Sequence, residues 1–285
     1  MTLRISFSPE LCWSMYASPD CTRVLDQIGT LLSLSPSSGS ERRIIRISSL
    51  LAHEPVRSSR WRLIQSPYGV VAVNTVTGCI EIGVHGEDQG RTEYVAWIIK
   101  SLFIGVSTLL LSSGCIMLHA ATLVRDGGAV LILASSGGGK TTTAMRVPPP
   151  WIAPGDENAL VLRTSSGGYL VHVLPTASII ATGTAQMWNI TRSYPLMGIC
   201  ILIQSDEDRI IRCTPGKAAG LLTGSAHQVI KNQEIGMKTD YKQWKKAMIF
   251  SAACKMAVNV PVFLLYATLT GRFWEEIESM VFFRG

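Results

Sequence analysis

No two of the seven cysteines form a CxxC pair, and Cys12, Cys21, Cys79, Cys115, Cys200, Cys213 and Cys254 lie far apart. That spacing excludes a zinc finger and a disulfide framework and points to reduced thiols. Charged residues make up only 16% of the chain and hydrophobic residues 47%, with a mean hydropathy of +0.27, which excludes a disordered chain. No internal repeat at a period of about 20–50 residues is visible, and the one low-complexity patch, SPSSGS at 35–40, is read as a loop. The opening residues 1–9 hold no apolar stretch of signal-peptide length, so a cytoplasmic location is expected. Nor is there a clean membrane span. Residues 94–111 (YVAWIIKSLFIGVSTLLL) have the length for one, but Lys100, Ser101, Ser107 and Thr108 interrupt the run and Gly114 follows as a stop, so a buried helix is expected and no membrane partner.

What is present is a basic chain of 285 residues, with 26 Lys and Arg against 20 Asp and Glu, a net charge of +6 that favours anionic partners. Arg42, Arg43, Arg46, Arg57, Arg60 and Arg62 are spread along expected strands and turns rather than lined on one helix, so a solvated face is read there and no nucleic-acid groove. Residues 1–90 alternate short apolar runs, such as 43–51 and 68–76, with Gly, Pro and Ser clusters, which predicts an accessory, mostly-β region. Residues 91–285 are read as a second domain that carries the chemistry.

Within it, residues 115–124 and 129–134 read as strands joined through Arg125-Asp126-Gly127-Gly128, a tight-turn hairpin signal. Residues 141–147 read as a short helix closed by Pro148-Pro149-Pro150. A second hairpin is expected from 159–163 and 169–174, further sheet at 198–204 and 209–213, helices at 216–231 and 241–258, and a helix-rich packing tail over 260–284. Hairpins around a glycine loop predict a mixed α/β fold whose sheet is largely antiparallel or mixed.

The second strand runs straight into Ala134-Ser135-Ser136-Gly137-Gly138-Gly139-Lys140-Thr141, which matches the phosphate-binding pattern G-x-x-x-x-G-K-[ST] except that Ala134 replaces the first glycine. Glycines let successive backbone N–H groups turn toward a phosphate, the Lys neutralises its oxygens, and the hydroxyl can ligate Mg²⁺. Asp156 is the first carboxylate downstream, with Glu157 beside it. It is read as metal ligand, general base or both, or as a residue that caps its own Pro154-Gly155-Asp156 turn. His119 stands on the strand that pairs with the one entering the loop, where it reaches the phosphates or is a satisfied strand residue. The other histidines, His53, His85, His172 and His227, show no ligand spacing.

Leu118-His119-Ala120-Ala121, Gly127-Gly128, Ser136 to Thr141 and Gly155-Asp156-Glu157 together resemble the HPr kinase/phosphorylase superfamily over residues 114–175. More narrowly, Met117 to Ala121, Arg146-Val147-Pro148-Pro149-Pro150-Trp151 and His172-Val173-Leu174-Pro175-Thr176 look like the HPr-kinase-related ScmC proteins of SynChlorMet cassettes. The resemblance implies a P-loop core similar to that of phosphoenolpyruvate carboxykinase, with ATP and Mg²⁺ as cofactors. Ser136, Gly137, Gly138, Gly139, Lys140, Thr141 and Thr142 become the expected nucleotide-binding residues, Thr141 and Asp156 the expected metal ligands, and His119 and Asp156 the expected catalytic pair. It also implies a peptide substrate and radical SAM enzymes as partners, and the apolar composition would accommodate a homo-oligomer. Gly155 stands where the family has its first acid. The expected function is therefore Mg-ATP-dependent phosphoryl transfer to a serine-like hydroxyl of a peptide or small metabolite, with a non-catalytic ATP-binding module that presents a peptide as the alternative.

Overall fold

The computed structural model describes residues 2–8, 10–49, 61–66, 69–84, 92–135, 137–175, 189–231 and 239–282. These fall into two units, the first drawn from 1–110, 175–192 and 230–245 and the second from 111–174, 193–229 and 246–285. The division thus comes after residue 110, where the sequence places it near residue 90. The fold is mixed α/β, with a mixed sheet in each unit.

In the first unit, seven strands are ordered β3-β1-β2-β4-β7-β6-β5, being β1 (Leu3–Ser8), β2 (Leu11–Ala17), β3 (Ser35–Pro36), β4 (Ile44–Ser49), β5 (Trp61–Ser66), β6 (Gly69–Asn74) and β7 (Cys79–Val84). Helix α1 (Thr22–Leu31), which the reading of this region as mostly β omits, buries Val24, Leu25, Ile28 and Gly29 on one face. Gly29 permits that approach, because a Cβ there would meet Leu3 Cδ1 at 2.6 Å. The expected buried helix is α2 (Thr92–Leu110), which packs on β6 and β7. Tyr94–Ser113 is long and apolar enough to cross a membrane, with a mean hydropathy of 1.9, yet 72% of it is buried within the protein. Packing on a sheet accounts for its apolar character.

The second unit holds eight strands: β8 (Ile116–Arg125), β9 (Gly128–Leu133), β10 (Ile152–Gly155), β11 (Asn158–Arg163), β12 (Tyr169–Val173), β13 (Ser193–Gln204), β14 (Arg209–Arg212) and β15 (Val262–Ala267). Both expected hairpins form. Asp126 and Gly127 turn the first with φ of 50° and 78°, the positive pair that a two-residue turn needs. β8 is shared: Ile116 to His119 pair with β11, and Ala120 to Arg125 with β9. β13 is shared likewise, antiparallel to β12 at its start and parallel to β9 and β15 beyond. The pairings β8-β11-β12-β13-β9-β8 close on themselves.

The helices of this unit are α3 (Lys140–Arg146), α4 (Pro215–Ile230), the later residues of α5 (Thr239–Asn259) and α6 (Phe273–Ile277). The tail expected to be helix-rich corrects in one respect: its first part is β15, which lies between β13 and β14 in the sheet. Val262–Ala267 (VFLLYA) is a continuous apolar run, buried on both faces as an internal strand is, and such a run carries no period by which to separate strand from helix. Beyond it, Phe273 is fully buried, in edge contact with Trp274 at 5.2 Å and beneath the Arg146 guanidinium at 5.3 Å. Phe273→Ala is expected to cost about 3–5 kcal/mol, read as a lower urea midpoint at unchanged slope.

Candidate functional site

β9 is apolar and buried along its whole length, and the chain leaves its end as a loop that returns as α3. Gly139 caps that helix with φ of 97°, and Gly137 has φ of 74°, both in the left-handed region that favours glycine. Gly138 is required for a different reason: a Cβ there would meet Ala134 Cβ at 2.9 Å and the Ser135 carbonyl at 3.0 Å. The loop is held across its base by the Gly138 N–H, which donates to the Ser135 carbonyl at 3.0 Å. Ser136, expected among the binding residues, lies outside the described residues.

Lys140 opens α3 and is 7% exposed. Its Nζ turns back to donate to the Ala134 carbonyl at 3.1 Å and the Ser135 carbonyl at 3.4 Å. Burial pulls its pKa below the ordinary lysine value, and the negative charges of Asp156 and Glu157 oppose that shift. Thr141 is the next residue, and its Oγ1 donates to Asp156 Oδ2 at 2.8 Å across 15 residues of chain. Thr142 is exposed on the same helix turn. The Thr141 hydroxyl and the Asp156 carboxylate therefore meet at the loop, and the Lys140 amine lies against the loop carbonyls.

Asp156 and Glu157 arrive at this point because β10 ends at Gly155, opposite Thr122, and β11 begins at Asn158, opposite His119. The pairing of β8 with β10 and β11 is almost continuous, interrupted where the two carboxylates sit. Gly155 is buried within that pairing. The strand end thus carries Gly155 and, directly after it, the two acids Asp156 and Glu157.

His119 is half-buried on β8. Side chains alternate along a strand, so His119 shares its face with Ala121 and Leu123, which belong to the same apolar cluster as Ala144 of α3. It lies one residue beyond the Ala120–Leu133 pair, at the end from which the loop springs. His172 is buried within β12, between Leu160 and Ser193, and His227 is on α4; neither joins the site. His53 and His85 lie outside the described residues. Among the described residues, no three His, Cys, Asp or Glu side chains gather as a metal cage.

Two residues near the loop belong to no motif in the sequence. Gln204 ends β13, the parallel neighbour of β9, and a Cβ on Gly139 would come to 3.8 Å from its Nε2 and 3.5 Å from Leu202 Cδ2. The end of a strand beside the loop strand is where such a group is to be sought, but the pairing is not visible in the sequence. The second is Ser225 of α4, hydrogen-bonded to the backbone of His119. At its far end, α3 is tied down by Arg146, whose guanidinium donates to the Thr268 carbonyl at 2.7 Å and to the Gly271 carbonyl.

A family model described as SynChlorMet cassette protein ScmC matches residues 86–282, which is more than half of the chain. No curated protein matches it.

Proposed function

We propose, for a chain that belongs to the family of SynChlorMet cassette protein ScmC, that the glycine loop binds Mg-ATP and the protein transfers the γ-phosphoryl group to a serine-like hydroxyl of a peptide or small metabolite. The observation that carries this reading is the bond between Thr141 Oγ1 and Asp156 Oδ2 beside the buried Lys140. A cation that costs free energy to bury donates to two carbonyls of the glycine turn, within the field of two carboxylates. These residues fit Mg-ATP: the metal needs only one or two protein oxygens when phosphates supply others, and the Gly138 position admits no side chain without a clash.

Bound there, Mg-ATP supplies the phosphoryl group and a metal charge that draws electrons from it. Gly137, Gly138 and Gly139 line the turn, Lys140 neutralises phosphate charge, and Thr141 and Asp156 would hold the metal. Asp156 or Glu157 accepts the proton of the acceptor hydroxyl as its oxygen bonds to phosphorus and the bond to the ADP oxygen breaks. His119 steadies charge from the β8 side. The core is then HPr-kinase-like, and cytoplasmic action beside radical SAM enzymes on a peptide follows from the same reading.

Gly155 favours a second reading. With glycine where a base is expected, the protein would bind ATP, leave it intact and present a peptide to modifying enzymes. Mass spectrometry of the protein with Mg-ATP and hydroxyl-bearing peptides separates the two. A phosphate-sized gain on peptide, absent with Asp156→Ala, is the expected result. No gain with ATP binding intact gives the non-catalytic module.

A further inference from the structure

At Ala120, β8 loses its pairing with β9 along one edge. Along one edge it pairs with β9 as far as Ala120 and Leu133, after which the chain turns away at Ala134 to form the glycine loop. Its other edge stays with β10 and β11, and there the Ala120 N–H donates to the Glu157 carbonyl at 3.0 Å. Successive residues of an antiparallel strand present their backbone groups to opposite edges. The N–H and C=O of His119 therefore face the edge that β9 has just left.

Ser225 meets them there. It is 6% exposed, and its Oγ accepts from the His119 N–H at 3.0 Å and donates to the His119 carbonyl at 3.2 Å. One hydroxyl takes both groups that the next residue of β9 would have taken. A helix serine or threonine commonly bonds back to its own preceding turn, as Thr223 of the same helix does to the Ala219 carbonyl at 2.7 Å. Ser225 instead spends its hydroxyl on a residue 106 positions away.

We infer that Ser225 is a positioning residue, which completes the edge of β8 where β9 gives way to the loop and so fixes the His119 imidazole at the ATP site. This rests on the reading of the loop as that site. The direction of an imidazole is set by the backbone that bears it, and a group misplaced by about 1 Å can lose a factor of up to 10² in rate.

The test is a double-mutant cycle. Ser225→Ala is expected to lower kcat for phosphoryl transfer about tenfold with KM for ATP unchanged, and to change nothing further in a His119→Ala background. Ser225→Cys keeps a weak donor and acceptor on the same stem and should fall between, which also serves if the alanine variant does not fold. Equal losses in both backgrounds, or none in either, overturn the proposal. A second readout does not need catalysis: the His119 ring NMR signal, assigned by its loss in His119→Ala, should shift with Mg-ATP in the native protein and lose that shift in Ser225→Ala. An unchanged shift in the variant, or none in the native protein, overturns it. If the shift behaves as expected while no phosphate is transferred, the kinase reading falls and the positioning role stands.

Discussion

Lys140→Met is expected to weaken ATP binding by about 100-fold or more and yet to raise the melting temperature by about 2–4 °C. The two effects have one cause. The Lys140 amine is almost wholly enclosed, donates to two loop carbonyls, and is held below the ordinary lysine pKa because burial outweighs the attraction of Asp156 and Glu157. Folding therefore carries the cost of removing a cation from water. Methionine has similar length and no charge, so that cost vanishes together with the partner for phosphate oxygens. The sign of the pH dependence follows. Below its lowered folded pKa, Lys140 is protonated in both states and the burial cost is present in full. As pH climbs from there toward the unfolded value, the unfolded chain binds more protons and stability rises. The stability gap between Lys140→Met and the native protein should thus narrow at alkaline pH. Calorimetric titration with ATP and thermal melts across pH check both halves. Unchanged ATP affinity would show that the loop is not the nucleotide site.

Asp156→Asn is expected to reduce phosphoryl transfer by about 10³-fold or more, with ATP affinity reduced less than about tenfold. Asparagine keeps the shape and can still accept the Thr141 hydroxyl that now bonds Oδ2. It loses the charge that would hold a metal and the basicity that would receive a proton. Lys140 and the glycines remain in place for the phosphates, so binding should survive where chemistry does not. Measured as a split between kcat and KM for ATP, this outcome separates Asp156 from Lys140. Glu157→Gln in parallel assigns the base: if it loses the rate while Asp156→Asn keeps it, the proton goes to Glu157.

The site was legible in the sequence to the extent that its parts are local. Asp126-Gly127 fixes a hairpin because two adjacent residues must take positive φ, and both do. The step from Leu133 through the glycines to Lys140 shows as an apolar run followed by a turn that few other residues could make. Asp156 was within reach because it is the first carboxylate after that turn, and the bond to Thr141 agrees. Legibility ended where partners are distant. Gln204 lies beside the loop only because β13 pairs in parallel with β9, and Ser225 only because α4 covers the end of β8. Neither position has a spacing rule to announce it. β15 reads as helix for a different reason: a strand covered on both faces lacks the alternation that marks a half-buried one. α1 carries Val24, Leu25, Ile28 and Leu31 at helical spacing, a signal that a mostly-β reading of residues 1–90 passes over.

The closed circuit of strand pairs has a consequence for how the protein is made. β9 lies between β8 and β13, and β13 is flanked in turn by β15, so residues 129–133 pair with 196–201, and 199–204 with 262–267. During synthesis the stretch that carries Lys140 leaves the ribosome well before the strands that hold it. A nascent chain stalled after residue 192 would contain the whole glycine motif and β8 to β12, but not β13, β14 or β15. On the proposed reading of the loop, a chain arrested there should bind ATP more weakly than one in which β13 has paired with β9.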